Sequence, residues 1–240
     1  MSIAQASNLL RACRVNRLAN IRSELDQCPA TATTTLRRLK LLSSRQDLNG
    51  RLLLLGDDDL LSVAIAATNP STRVTVLDLD SDLLNRIEES SPHSRMEVLR
   101  HDLRQGLPSE LVGCFDVAFT DPPYTLAGQL LFLKRAVAAL RPNRGSSLYL
   151  CGSRVYLDDD DLATIIGAAE SGGLGLKGVY EDFNKYVAPP DVQDDLRRAN
   201  PDQDSKFFHS TLFHFVAVDG LTFPESIPTL TSNIYEYKSR

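Results

Sequence analysis

Two short acidic motifs carry the chemistry in this chain: Gly56-Asp57-Asp58-Asp59 and Asp121-Pro122-Pro123-Tyr124. The first follows four leucines, 52–55, so the aspartates fall at a strand-to-helix turn. Three carboxylates are tolerated there because a helix N-terminus and its free N–H groups favour negative charge. Facing outward, they would form an anionic cup for ammonium groups, and one of them could take the proton that an attacking amine must lose. A second acidic run, Leu157 to Leu162, is just as charged but lacks a preceding glycine turn. It reads as helix capping.

Turns of this kind usually carry several glycines so that backbone can approach a phosphate. Aspartates would repel a phosphate, so the site suits adenosine without phosphates. Asp78 and Asp80 close the next apolar run, about 20 residues on, where an acid accepts hydrogen bonds from ribose hydroxyls. Asp102, with Leu103 beside it, follows the third run and is placed to meet the exocyclic amine of an adenine ring. Gly56, Asp57, Asp78, Asp80, Asp102 and Leu103 are therefore the expected nucleoside-binding set.

The elements that must position these residues alternate. Apolar strands are expected at 51–55, 73–77, 96–99, 115–120 and 147–151, and helices at 59–68, 81–89, 126–140 and 160–171. This predicts an α/β fold, a mostly parallel sheet with helices on both faces, binding ligands beyond the carboxyl ends of its strands. A short N-terminal helical segment, 1–45, precedes the catalytic domain, 46–240. Within it, one amphipathic helix is expected from Ser7 to Asp26, bearing Leu18, Ile21 and Leu25, and a second from Leu36 to Ser44 behind a threonine-rich cap at 31–35. After Gly178, residues 179–187 and 210–218 read as an antiparallel edge pair. The polar, proline-bearing stretch 188–205 between them reads as a mobile loop that could cover a site.

Composition narrows the classes. No apolar run in the 240 residues reaches the roughly 18–20 needed to span a bilayer. The first 30 residues lack the apolar core of a secretory signal; being amphipathic and arginine-bearing, they leave a transit peptide as the alternative. The four cysteines form no C-x-x-C pair, and the four histidines show no metal spacing. A reducing, cytoplasmic setting and a metal-free site are expected. Net charge is −5, but residues 1–51 carry +6, leaving −11 for the remainder. An acidic body argues against a nucleic-acid groove and for a cationic small substrate. The basic head could instead touch an acidic partner, and a homodimer stays open.

The order of these features resembles a class I methyltransferase-like, Rossmann-like fold, which takes S-adenosylmethionine or its decarboxylated form. The D-P-P-Y tetrad is similar to that of amino-methyltransferases, in which the Asp carboxylate and a proline carbonyl accept a substrate N–H and aim the nitrogen lone pair at the electrophilic carbon. The segments "DLNGRLLLLGDDDLLSVAIA", "VTVLDLDSDLL", "DLRQGLP", "FDVAFTDPPYT", "FNKYV" and "FHSTLFHFVAVDG" resemble, in order, the branched-chain polyamine synthases over roughly residues 30–220. Those are aminopropyltransferases that make N4-bis(aminopropyl)spermidine. The resemblance implies aminopropyl transfer from decarboxylated S-adenosylmethionine to a polyamine nitrogen, with release of methylthioadenosine. It also implies roles: Asp57, Asp58 and Asp59 hold the amines, with Asp58 or a neighbour as base. Asp121 and the Pro122 carbonyl orient the nucleophile, Tyr124 walls the pocket, and Asp78 and Asp102 grip ribose and adenine.

Two features depart from the family. Some 45 residues precede the sheet where relatives often carry a longer winged-helix-like module, and Ala188-Pro189-Pro190 stands where relatives carry bulky aromatic residues. Both bear on the acceptor. Two alternatives follow. One is methyl or 3-amino-3-carboxypropyl transfer from S-adenosylmethionine to a small-molecule amine. That needs a cation for the donor carboxylate, with Arg154 and Lys185 as candidates. The other is a non-catalytic module that binds polyamine or adenosine.

Overall fold

The four leucines of the first strand are all buried and divide by the two-residue period of a strand. Leu52 and Leu54 join one core cluster; Leu53 and Leu55 join the other. A strand apolar at every position is thus a central strand covered on both faces.

The computed structural model describes residues 3–18, 21–91, 95–199, 205–218, 221 and 233–235. In chain order its elements begin with α1 (Ile3–Leu18), α2 (Ala32–Ser44), β1 (Arg51–Leu55), α3 (Leu61–Thr68), β2 (Arg73–Asp78), α4 (Ser81–Ser90) and β3 (Arg95–Arg100). There follow β4 (Val117–Thr120), α5 (Leu126–Ala139), β5 (Ser147–Gly152), α6 (Asp159–Ser171), β6 (Leu174–Val187), α7 (Pro190–Ala199) and β7 (Phe207–Ala217). Among the described residues they build a seven-stranded sheet of order β3-β2-β1-β4-β5-β7-β6. Strands β1 to β5 pair in parallel, and β7 runs antiparallel to both β5 and β6.

The chain winds outward from β1 through β2 to β3, then crosses back to β4 on the other side of β1. That reversal lies between β1 and β4, and the two acidic turns follow those two strands. Leu39, Leu42, Val63 and Leu83, from α2, α3 and α4, pack on one face; Leu130, Val137 and Ile165, from α5 and α6, pack on the other. The N-terminal helices share their core cluster with the sheet, through Leu10, Leu39 and Leu42.

Three local expectations are corrected. The first helix ends at Leu18, so Ile21 and Leu25 lie outside it, and Ser23–Leu25 form a separate single turn. The second helix starts four residues earlier than expected: Thr31 caps it, accepting from the Thr34 amide, and the remaining threonines are helical. The stretch after β6 is a helix rather than an open loop. Pro190 sits at its first position, where a missing N–H costs nothing. Val192 and Leu196 pack one turn apart against the core, and Arg197 and Arg198 complement the helix dipole in the last turn. Residues 200–204 of that expected loop lie outside the described residues. The run 157–162 caps α6 as anticipated, through a reciprocal Asp158–Asp161 pair.

Among the described residues no helix is long and apolar enough to cross a membrane, and no group of three or more His, Cys, Asp or Glu is placed to hold a metal ion.

Candidate active site

Gly56 turns the chain at the end of β1 with a φ of 75°, a left-handed conformation that glycine adopts without strain. The three aspartates that follow then point in three directions. Asp57 turns inward and accepts hydrogen bonds from the Leu61 amide at 2.8 Å, the Ser62 amide at 3.1 Å and the Ser62 hydroxyl. It is spent on the start of α3. Burial pushes its carboxyl up to about 7, against the pull of the Ser62 and Leu61 donors. Asp59 is equally buried; it accepts from the Ala30 amide and pairs with the Arg38 guanidinium. Only Asp58 of the three lines open space. The expectation of three carboxylates around one cup is therefore corrected: the buried amide, hydroxyl and guanidinium donors around this turn need acceptors, and two of the three carboxylates supply them.

The second motif follows β4. Asp121 accepts from Arg38 Nη2 at 2.7 Å and the Tyr186 hydroxyl at 2.6 Å on one oxygen, and from the Tyr124 hydroxyl at 2.8 Å on the other. Desolvation is the largest influence on its carboxyl and raises it above the ordinary range; Arg38 opposes this and Asp59 adds to it. Behind the motif, α5 comes unusually close. A Cβ on Gly128 would sit 2.8 Å from the Pro123 carbonyl oxygen and 2.9 Å from its Cβ, so glycine is needed for this approach. Thr125 caps α5 through the Gly128 amide, and its hydroxyl donates to the Ile234 carbonyl at 2.7 Å.

The nucleoside set divides as well. Asp78 lines the cleft and accepts from the Asp57 and Asp80 amides. Asp80 does not line it: its carboxylate caps α4 through the Asp82 and Leu83 amides and takes the Gln27 side chain at 2.9 Å. Of the two aspartates expected at the ribose, Asp78 alone lines the cleft. Asp102 and Leu103 line the same cleft, Asp102 in a forked ion pair with Arg104 at 2.7 Å that holds its carboxyl below the usual range.

Two cavities result. The first, about 670 Å³ with the solvent at its mouth included, is lined by Gly56, Leu77, Asp78, Asp102, Leu103 and Phe132 among others, Ile234 and Tyr235 included. The second, about 700 Å³, is walled by Tyr124, Tyr156, Tyr186 and Phe208, with Pro122 and Val192. They share Asp26, Asp58 and Asp121. Three carboxylates thus stand where a nucleoside-sized cleft meets an aromatic one, an arrangement that stabilises cations by charge and by ring faces. Among the described residues lining the two cavities the basic side chains are His101 and Arg104, Arg104 being tied to Asp102. Arg154 pairs with Asp159 and Lys185 lies over the Phe207 ring; neither lines either cavity.

Sequence reasoning missed Asp26, Arg38, Tyr186, Tyr156 and Phe208. Asp26 sits in the left-handed region at φ 56°, which no spacing rule signals. Arg38 looks like one more charge in a basic helix. A usable hint existed in its neighbours, since Leu39 and Leu42 place it on the buried face of α2.

A family model described as the branched-chain polyamine synthase A C-terminal domain matches residues 11–216. An N(4)-bis(aminopropyl)spermidine synthase from Thermococcus kodakarensis is 38% identical over 169 residues, which cover 68% of this chain and 48% of that protein. The crystal structure of the branched-chain polyamine synthase from Thermus thermophilus, in complex with N4-aminopropylspermidine and 5'-methylthioadenosine, matches with a TM-score of 0.82 at 23% identity, covering 97% of this chain and 69% of that one. A TehB-like SAM-dependent methyltransferase from Corynebacterium glutamicum matches with a TM-score of 0.52 at 15% identity, covering 75% of this chain and 87% of that one. The last two show the fold. The chain spans less than half the length of the curated relatives it matches.

Proposed function

The chain belongs to the family of the branched-chain polyamine synthase A C-terminal domain, and from that premise we propose that it transfers an aminopropyl group from decarboxylated S-adenosylmethionine to a polyamine nitrogen. The observation that carries this reading is the meeting of the two cavities at Asp26, Asp58 and Asp121. Three of the curated relatives are named as N(4)-bis(aminopropyl)spermidine synthases, and the Thermus thermophilus structure holds an aminopropylated polyamine together with methylthioadenosine, which supports the same two classes of ligand here.

In this reading the adenosine part of the donor lies in the first cavity, its ribose on Asp78 and its adenine between Asp102 and the apolar wall of Leu103. The sulfonium and the donor's own ammonium face the shared carboxylates. The acceptor lies in the aromatic cavity, where Tyr124, Tyr156, Tyr186 and Phe208 surround its methylenes and charged amines. Asp121 and the Pro122 carbonyl accept N–H bonds from the attacking nitrogen. Its lone pair then forms the new C–N bond as the C–S bond breaks, and the electron pair leaves on sulfur as neutral methylthioadenosine. Asp58, the member of the triplet that lines both cavities, takes the amine proton. Holding the two substrates in line supplies most of the acceleration. No metal enters this chemistry, and a cytoplasmic setting suits these substrates.

The carboxylated donor fits worse. Its extra carboxylate would stand among Asp26, Asp58 and Asp121, and the basic side chains proposed from sequence to offset it lie elsewhere. The purified chain, incubated with decarboxylated S-adenosylmethionine and spermidine, is expected to release methylthioadenosine and an aminopropylated spermidine. With S-adenosylmethionine in its place turnover falls at least 100-fold. Release of S-adenosylhomocysteine instead identifies methyl transfer and overturns the proposal.

A further inference from the structure

Arg38 is among the largest fully buried side chains of the described residues, yet it comes from the N-terminal helical segment and not from either acidic motif. Each of its guanidinium nitrogens donates a hydrogen bond. Nε donates to Asn184 Oδ1 at 2.9 Å, Nη1 to Asp59, and Nη2 to Asp121 at 2.7 Å and to the Tyr186 hydroxyl at 2.9 Å. The Phe119 ring covers it, 5.1 Å from its central carbon.

Resting on the aminopropyl-transfer reading, we propose that Arg38 is a positioning residue. It fixes the Asp121 carboxylate at the junction of the cavities and leaves the Asp59–Asp121 pair with one net negative charge, for the substrate ammonium to meet. The charge count supports this. One cation faces two buried carboxylates, and Asp59 is closed off while Asp121 opens to both cavities. The geometry supports it too. With one Asp121 oxygen held by Arg38 and Tyr186 and the other by Tyr124, the carboxylate cannot rotate, so its remaining lone pairs keep one direction. A planar guanidinium can bridge two carboxylates at fixed angles; an ammonium cannot.

Arg38 also determines whether Asp121 is charged. The groups facing Asp121 are Arg38 from α2, Asp58 and Asp59 from the β1 turn, Tyr124 from its own turn, Cys151 from β5, Tyr186 from β6, and Asp26 and Cys28 from the segment between the first two helices. Arg38 is the one guanidinium or ammonium among them. Without it, two buried carboxylates repel each other and one must keep its proton. A protonated Asp121 loses the charge that holds an ammonium and becomes a weaker acceptor for the N–H of an amine.

Infrared difference spectra of the full chain minus Asp121→Asn, followed across pH, read the Asp121 carboxylate without turnover. In Arg38→Gln its carboxylate band is expected to give way to a carboxylic-acid band at neutral pH, an upward shift of about two pH units. The acid limb of kcat/KM for the acceptor moves by the same amount. Arg38→Lys falls between, because charge returns without the fork. An unmoved band and limb in a folded Arg38→Gln protein overturn the proposal. So does an equal loss at every pH in both variants. Should Arg38→Gln fail to fold, Asp59→Asn decides: removing the like charge must shift the limb down, and a fixed limb sinks the idea. Absence of turnover in the unaltered chain would sink the aminopropyl-transfer reading and leave the infrared result to judge Arg38.

Discussion

At the scale of single residues, three consecutive aspartates have three environments, and experiment should separate them. Asp58 lines both cavities, so Asp58→Asn is expected to lower kcat by about 100-fold or more with little change in stability. Asp57 caps α3 from a buried position, so Asp57→Asn should leave the acceptor KM near its original value and alter stability. The sign follows from its carboxyl, raised to about 7 in the folded chain from an ordinary 3.8. Between those values the folded form holds the proton that the unfolded form has lost. Stability from this group is therefore fully present below pH 4 and falls as pH rises to about 7, by about 4 kcal/mol. Urea midpoints at pH 5 and pH 8 should differ less in Asp57→Asn than in the unaltered chain, and equal differences would disprove the assignment. These roles could not be read from D-D-D as letters, because burial, which the neighbouring helices impose, distinguishes them.

At the scale of elements, the two acidic turns are held by what packs behind them. Helix α5 reaches the D-P-P-Y turn because Gly128 has no side chain. Gly128→Ala forces at least a few tenths of an ångström of displacement on Pro123, whose carbonyl and ring it meets. The expected result is a drop in kcat/KM of about tenfold, with methylthioadenosine affinity, measured calorimetrically, changed far less. A Gly128→Ala protein with full activity would show that the turn does not need this contact. Strands β1 to β5 and the helices between them were legible from apolar period alone, within one or two residues at most ends. Helix α7 was not: a leading proline and five charges masked a short apolar pair, Val192 and Leu196, that finds its partner only across the fold. The edge strand β6 also begins earlier than its pattern suggests. It is irregular between Tyr180 and Asn184, where Asp182 takes a φ of 48°.

At the scale of the whole molecule, the N-terminal segment and the sheet share one core, although their compositions differ sharply. Leu39 and Leu42 pack with Leu52 and Leu54, and Arg38 reaches the site from the same helix. A chain beginning at residue 46 would uncover that apolar face and remove the cation between Asp59 and Asp121. It should be insoluble or unfold at least 10 °C lower, and supplying residues 1–45 as a separate peptide should restore part of the activity; a soluble, fully active truncation would contradict this view. What the amino-acid order by itself determined is the alternation of strands and helices, and with it the location of both acidic motifs at strand ends, because period and turn chemistry are local properties. What only the tertiary structure decided is which carboxylates face the cavities. Asp57, Asp59 and Asp80 are claimed by amides, Arg38 and Gln27, whereas Asp26, Asp58 and Asp121 line the shared edge of two cavities. Charge is written in the sequence, but its partners come from segments up to 148 residues away, as between Arg38 and Tyr186, and only packing brings them together.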